Sequence, residues 1–178
     1  KHNTYLRSDL GKALIIHTAN EAGDTPGPDY KFGWGLMDVA KSAELIIGKD
    51  QTSILQNHTL NNGETYKFSV RGIENSSLKV TIVWLDPAAP IGTGHNDRTP
   101  QLVNDLDLRI SDGLTEYLPW KLDVINPSAA ATKGDNVVDN VEQIIIDNPI
   151  EGLNYEISVA HKGNLQGGSQ VFAIVVSG

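Results

Sequence analysis

Residues 102–110 carry the clearest alternation of apolar and polar positions in this chain. The apolar positions share one face of a predicted strand and comprise Leu106, Leu108 and Ile110. The polar positions share the other face and comprise Asp105, Asp107 and Arg109. Carboxylates two residues apart on a strand lie roughly 7 Å from each other, so this pair repels itself unless a positive charge lies between them. Arg109 is one candidate, and Ca²⁺, which takes oxygen ligands, is the other.

The remainder of the chain after residue 48 predicts short strands separated by Asn, Gly, Asp and Pro. Eight segments fit this pattern: 53–59, 65–71, 78–85, 102–110, 116–122, 141–146, 155–161 and 170–177. Residues 80–85 and 171–176 are apolar on both faces, which indicates central strands. Short, evenly spaced strands without intervening helices favour an antiparallel sandwich, and eight strands favour a jelly roll. The long connections 86–101 and 124–140 are candidate functional or metal-bound loops, unless they are only mobile.

Residues 1–48 predict two helices separated by a glycine-rich turn. Ser8 is the candidate N-cap of the first helix. Asp38 can cap the second helix and Gly48 can end it. The apolar positions of the second helix share one face and comprise Val39, Ala40, Ala43, Ile46 and Ile47. Two such helices cannot bury their apolar faces alone, so we expect a larger partner, encoded before Lys1 or supplied by another chain.

The bulk composition narrows the class of function. The 178 residues are 39% hydrophobic, enough for a packed core in one large domain or in one domain plus part of another. The net charge of −8, without a run of Lys or Arg, argues against nucleic acid and against anionic membranes as partners. The absence of cysteine excludes a disulfide framework and a thiolate zinc site. The first residue is Lys1, not Met, which favours a processed product or a piece of a longer protein.

Two separated parts of the sequence resemble one protein family. The segments ALIIHTA at 13–19 and YKFGWGLMDVA at 30–40 are similar to the end of a subtilisin-like (subtilase) catalytic domain. Further on, the chain resembles the C-terminal β-domain of the large subtilases. The motifs that carry this second likeness are LKVTIVWLDP at 78–87, LVNDLDL at 102–108 and NVE at 140–142.

The resemblance implies a division of the chain and a function for its parent. Residues 1–48 would be the last helices of an incomplete catalytic domain, and 49–178 an eight-stranded jelly-roll β-sandwich. The parent would be a secreted serine endopeptidase that cleaves protein or peptide substrates. By this alignment its Ser, His, Asp and oxyanion-hole Asn all precede Lys1. The chain alone is therefore predicted to be inactive, with the N-terminal part of the catalytic domain, from the same precursor, as its partner.

An independent catalytic triad has no support in the sequence. There is no Gly-x-Ser-x-Gly motif. His17 lies in an apolar helical pattern, which favours a hydrogen-bonded packing role. His95, close to Asp97 in the 86–101 connection, is the histidine to test as a base. We therefore assign no catalytic residue.

The acidic residues predict a calcium site assembled from strands and loops. Related β-domains hold Ca²⁺, and the candidate oxygen ligands here are Asp86, Asp97, Asp105, Asp107, Asp135, Asn136, Asp139, Asn140 and Glu142. The competing interpretation is a solvated acidic face with Asp and Asn in turns. In that case Asp105 pairs with Arg109 or Lys121.

The tryptophans leave a second function open. Jelly rolls also bind sugars through exposed aromatic platforms, so a carbohydrate- or surface-binding module is the alternative. Trp84 falls in an apolar strand and is predicted to be core, and Trp34 is predicted to pack on the catalytic body. Trp120, after Pro119, is the remaining candidate platform. A spacer domain without any ligand is a third possibility.

Overall fold

The computed structural model describes residues 6–91, 94–95 and 98–178. Two helices, α1 (Ser8–Thr18) and α2 (Val39–Ile47), precede the strands. The strands are β1 (Ser53–Asn61), β2 (Tyr66–Arg71), β3 (Leu78–Trp84), β4 (Leu106–Ser111), β5 (Glu116–Tyr117), β6 (Trp120–Lys121), β7 (Thr132–Lys133), β8 (Val141–Ile146), β9 (Asn154–His161) and β10 (Ser169–Ser177). Within the described residues, no helix has the length and apolar character needed to cross a membrane. The mainly β architecture predicted from the sequence is confirmed.

Two antiparallel four-stranded sheets form the body of the protein. One has the strand order β1-β10-β3-β8 and is called here the helix-covered sheet. The other, the second sheet, has the order β2-β9-β4-β5. Strands β6 and β7 pair separately. Strands β3 and β10 lie inside the helix-covered sheet, which confirms the prediction that the segments apolar on both faces are central.

The two sheets share one apolar core. The side chains that fill it come from alternate positions of the facing strands: Leu78, Val80, Ile82, Trp84, Leu106, Leu108, Ile110, Ile144, Tyr155, Ile157, Val159, Phe172, Ile174 and Val176. The alternation in β4 therefore predicts its buried face correctly. The prediction that Trp84 is a core residue is confirmed, since its side chain is fully buried.

Helix α1 covers the outer face of the helix-covered sheet. A second cluster of buried apolar side chains forms there from Leu10, Ala13, Leu14, Ile16, Leu55, Val83, Val141, Ala173 and Val175. Strands β3 and β10 are apolar on both faces because one face meets the other sheet and the opposite face meets α1. The predicted boundary at residue 48 falls between α2 and β1, but α1 is already packed on the sandwich.

The predicted ends of α2 are observed, whereas the predicted N-cap of α1 is not. Ser8 is the first residue of α1 and not its N-cap; Arg7 occupies that position without a side-chain cap bond. In α2 the Asp38 side chain accepts a hydrogen bond from the Lys41 N–H at 3.0 Å, and Gly48 follows the last helical residue, both as predicted.

Two predicted strands differ from the observed ones for identifiable reasons. Segment 102–110 is a strand only from Leu106, because the Asp86 carboxylate accepts the N–H groups of Val103 and Asn104 at 2.7 and 2.8 Å. These two N–H groups are therefore not available to pair with a neighbouring strand. Segment 116–122 is split into β5 and β6 around Pro119, which has no N–H to donate.

Candidate functional site

Five charged residues come together on the outer face of the second sheet. We call Asp105, Asp107, Arg109, Asp135 and Lys162 the acid–base cluster. The ammonium group of Lys162 lies 2.8 Å from Asp107 Oδ1, 3.0 Å from Asp135 Oδ1 and 3.2 Å from Asp105 Oδ2. Arg109 Nη2 lies 2.8 Å from Asp107 Oδ1 and 2.5 Å from Asp135 Oδ1. Two protein cations thus neutralise most of three carboxylates.

The backbone of the second sheet explains why these residues meet. Asp107 and Arg109 are two positions apart on β4 and project from the same face. Strand β9 pairs with β4 in the register Leu106↔His161, which brings Lys162 beside Asp105. The Lys162 N–H also donates to the Asp105 carbonyl oxygen at 2.9 Å. Asp135 reaches the cluster from the loop after β7.

The contacts shift the protonation equilibria of the cluster. Burial raises the pKa of Asp105, against the opposing effect of Lys162. Burial acts in the same direction on Asp135, but hydrogen bonds that include those from Lys162 and Arg109 outweigh it and lower the pKa of Asp135 to about 2. Partial burial disfavours the charged form of Lys162, yet its carboxylate partners raise its pKa above the usual lysine value. The cluster is therefore an internally compensated ion network.

The predicted calcium ligands form no metal-binding group in the described part of the chain. Asp105 and Asp107 contact protein cations, and both Asp86 oxygens accept backbone N–H groups. Asp139 Oδ2 accepts a hydrogen bond from Asn136 at 3.3 Å, and the Asn140 amide donates to the Trp84 carbonyl at 2.7 Å. Asp97 lies outside the described residues. Within those residues no three or more His, Asp or Glu side chains are placed to hold a metal.

Glu142 occupies a different environment from the other predicted ligands. Its side chain points into the core between the sheets and is fully buried. Glu142 Oε2 accepts the Leu108 N–H at 2.6 Å, and Oε1 is buried without a hydrogen-bond partner in the described structure. Burial raises the pKa of Glu142 to about 8, with the Leu108 hydrogen bond opposing the shift. This carboxyl group is therefore largely protonated at neutral pH.

His17 joins helix α1 to the helix-covered sheet through a chain of hydrogen bonds. His17 Nδ1 lies 2.9 Å from Thr81 Oγ1, and His17 Nε2 lies 2.8 Å from Ser177 Oγ. Thr81 Oγ1 also accepts a hydrogen bond from Gln143 Nε2 at 3.0 Å. The contact with Ser177 has the distance of a nucleophile–base pair. However, burial lowers the pKa of His17 to about 3, with a smaller contribution from Lys79, so the imidazole is a weak base.

The indole ring of Trp120 is covered on its faces. Lys133 Nζ lies 3.3 Å from the ring centroid, a cation–π contact. A Cβ on Gly27 would lie 2.9 to 3.0 Å from three indole carbons, so the Gly27 backbone also lies against the ring. The Lys133 ammonium group and the Gly27 backbone are too close to the ring to lie on the same face, so they cover opposite faces. A sugar platform of the kind predicted at Trp120 therefore has no open face in this arrangement.

Sequence reasoning named the three carboxylates of the acid–base cluster and Arg109, but it missed Lys162. It placed Asp105, Asp107 and Arg109 on one face, and Arg109 does contact Asp107. It proposed Arg109 or Lys121 as the partner of Asp105, whereas the structure pairs Asp105 with Lys162. The role of Lys162 depends on the register of two strands more than forty residues apart, for which a single sequence carries no signal.

No protein-family model matches the chain, and no curated protein matches it. Among solved structures, the chain is similar to PliG of Aeromonas hydrophila, a periplasmic inhibitor of g-type lysozyme. The two share 11% sequence identity at a TM-score of 0.33, over 71% of this chain and 85% of that one. A likeness this distant carries no argument about the function of this chain.

Proposed function

We propose that this chain is the C-terminal part of a secreted subtilisin-like serine endopeptidase, in which the β-sandwich stabilises the catalytic domain. The proposal rests on the motifs at 13–19, 30–40, 78–87, 102–108 and 140–142 together with one structural observation. That observation is a concentration of exposed apolar side chains between residues 30 and 47. The catalytic Ser, His and Asp would belong to the remainder of the precursor, and this chain alone would hydrolyse no peptide bond.

The exposed apolar side chains lie in the glycine-rich turn and in α2. They comprise Tyr30, Phe32, Leu36, Met37, Val39, Ile46 and Ile47, each at least 41% exposed. Helix α2 contains no buried residue, although its sequence predicts an apolar face. Single exposed apolar residues are ordinary on protein surfaces, but seven within eighteen residues favour a surface that another body covers. The catalytic domain of the same precursor is the partner that the motifs favour.

Hydrogen bonds connect the exposed surface to α1. Thr18, at the end of α1, lies 2.7 Å from Ser42 of α2 through the two hydroxyl groups. Asn20 and Leu36 exchange both backbone hydrogen bonds at 2.8 Å. Since α1 is itself buried against the sandwich, a domain that docks on 30–47 would be coupled to the whole β-core. This coupling is the physical route by which the sandwich would stabilise a catalytic domain.

The strand order supports the jelly-roll part of the proposal. Leaving aside the separate β6–β7 pair, the strands of the two sheets are eight in number. They interleave as first, eighth, third and sixth in one sheet, and second, seventh, fourth and fifth in the other. This interleaving favours a jelly roll, in which two Greek keys are wound into a double sheet.

Charge-insertion variants test the docking surface. The chain would be co-produced with the N-terminal part of its own precursor, and the affinity of the two pieces measured by calorimetry. We expect Leu36→Glu and Ile47→Glu to weaken association at least tenfold, since a charge at a buried apolar contact is costly. Leu114→Glu is the matched control, because Leu114 is 99% exposed at the β4–β5 hairpin, far along the chain.

The proposal fails under either of two results. One is equal binding by Leu36→Glu, Ile47→Glu and Leu114→Glu, which would show that the 30–47 surface is not the interface. The other is a precursor whose upstream sequence lacks the subtilase Asp, His and Ser motifs. A peptidase assay on the pure chain adds a third check, since turnover of a peptide substrate would refute its predicted inertness.

A further inference from the structure

A cavity of about 260 Å³ opens where the helical region meets the sandwich. Its walls come from α1, the glycine-rich turn, β6 and the segment that leads into β8. The side chains that matter for its chemistry are Trp34, Trp120, Lys12, Lys121, Asp139 and Asn140. We infer that this cavity binds one residue of a neutral pyranose sugar, a function that goes beyond the proposed role in stabilising a protease.

The wall that carries Trp34 is preformed. Asp29 and Gly33 exchange two backbone hydrogen bonds of 2.9 Å across the turn. Gly35 has a φ of 103°, and a Cβ there would collide with the Asn20 carbonyl oxygen, so the backbone after Trp34 depends on glycine. Trp34 also packs against the cluster under α1. Ligand binding would therefore cost little conformational entropy on this side of the cavity.

The opposite wall is held in place as firmly. The face of Trp120 is fixed by Lys133 and by the Gly27 backbone, so its ring edge remains to line the cavity. The Gly134 N–H donates to the Pro119 carbonyl at 2.9 Å, which ties the β6 segment to the β7 segment. Together with Trp34 and the buried Ile16 and Val141, this edge gives the cavity an apolar lining.

The polar groups of the cavity are balanced in charge and have free capacity. Lys12 Nζ makes one long contact of 3.5 Å with Asn140 Oδ1. The Lys121 ammonium group has no hydrogen bond or ion pair with the described residues, and among those residues the Asp139 carboxylate accepts only from Asn136. Asp29 completes two positive and two negative side chains in the lining. A net charge near zero favours a neutral ligand over an anion or a metal cation.

The size and chemistry of the cavity together specify the ligand class. At about 30 Å³ per water molecule, 260 Å³ corresponds to roughly nine waters, which is room for one hydroxylated six-membered ring. Aromatic and aliphatic side chains suit its C–H face, and ammonium donors beside carboxylate and amide acceptors suit hydroxyl groups. The half-buried Asp139, whose pKa is raised by burial, would gain a donor from a sugar hydroxyl.

Saturation-transfer NMR on the intact chain tests this inference. The probes are glucose, galactose, mannose and N-acetylglucosamine at millimolar concentration, each added separately. We expect transfer to the ring protons of at least one sugar, with binding weakened at least tenfold in Trp34→Ala and several-fold in Lys121→Met. Lys121 is exposed, so its variant remains informative if Trp34→Ala does not fold. Lys67→Met, on the outer face of the second sheet, is the matched control and should bind like the parent.

Two outcomes would overturn the inference. The first is no transfer to any of the four sugars, or transfer that is equal in the parent, Trp34→Ala and Lys121→Met. The second uses glycine and indole as competitors in the same samples. It is that one of them displaces the sugar signal, or receives stronger saturation transfer than the sugar does. That second outcome would assign the cavity to a zwitterion or an aromatic ligand.

Discussion

The Leu108 N–H donates to Glu142 Oε2 at 2.6 Å and so joins the two sheets through the middle of the core. Leu108 belongs to the second sheet and Glu142 to the helix-covered sheet. The same carboxyl group leaves Oε1 buried without a partner in the described structure. A neutral acid that accepts this cross-sheet hydrogen bond is compatible with an apolar core, whereas an ionised carboxylate is costly there. Stability should therefore depend on the protonation of Glu142.

Replacement of Glu142 by glutamine should remove a fall in stability at rising pH. The folded pKa is about 8 against an ordinary value of 4.5, so the folded state binds more protons than the unfolded state between those values. The contribution of Glu142 is then complete below pH 4.5 and is lost as the pH rises to 8, at up to about 1.4 kcal/mol per pH unit. Urea unfolding at a series of pH values measures this slope. A parent and a Glu142→Gln variant with parallel pH profiles would contradict the assignment.

His17 should produce a pH dependence of the opposite sign. Its folded pKa is about 3 against an ordinary 6.5, so the unfolded state binds more protons between these values. Stability is then lost as the pH falls from 6.5 towards 3, because burial disfavours the charged imidazolium and nearby Lys79 adds to the effect. His17→Gln should flatten this acid limb and leave the Glu142 limb intact. If acid unfolding of His17→Gln follows the parent curve, His17 is not the group responsible.

Lys162 should matter more than an ordinary surface lysine. Lys162→Met removes the cation that contacts Asp105 and leaves Arg109 to contact Asp107 and Asp135, and we expect a loss of about 1–3 kcal/mol in the free energy of unfolding. The exposed pair Lys67–Glu156, at 2.8 Å, provides the matched control, and Lys67→Met should cost at most about 0.5 kcal/mol. Thermal melts at low and high salt check both values. Equal effects of the two substitutions would show that the cluster is not a cooperative network.

Calcium binding stays a prediction of the subtilase resemblance. The described residues bring no complete ligand set together, and Asp97 lies outside them. If Ca²⁺ bridges a loop to a strand as predicted, removal of the ion with EDTA lowers the melting temperature and excess Ca²⁺ restores it. Mg²⁺ in place of Ca²⁺ serves as the control for a general ionic effect. Identical melting temperatures in EDTA and in excess Ca²⁺ would contradict the predicted structural calcium site.

Much of the secondary structure could be predicted from local pattern. The 141–146 strand has the observed bounds, and β1, β3 and β10 begin within one residue of their predictions. The predicted strands are wrong where a side chain accepts the backbone N–H groups that a strand would use, or where a proline supplies no N–H. Asp86 removes 103–104 from the sheet, and Pro119 divides 116–122. Strand β7, two residues long within the 124–140 loop, has no periodicity from which to predict it.

The candidate site divides in the same way. The period of two on β4 is sufficient to place Asp107 and Arg109 together, since side-chain direction on a strand is a local property. The same period predicts that Glu142 shares the face of Ile144 on β8, but it does not reveal that this face is the core. Whether an acidic residue meets a lysine, a backbone N–H or a metal depends on strands that are distant in sequence.

By itself, the sequence determined that this protein is mainly β, that β3 and β10 are central, and that α2 carries an apolar face. Hydrophobic periodicity and the special backbone preferences of Gly and Pro act within a few residues, so they can be read along one chain. Only the tertiary structure decided that Lys162 neutralises Asp105 and that Glu142 lies in the core. It also decided that Trp34 and Trp120 share one cavity. Those contacts arise from strand register and sheet stacking, which bring together residues that are distant in sequence. No local pattern in the sequence indicates which of these distant residues will meet.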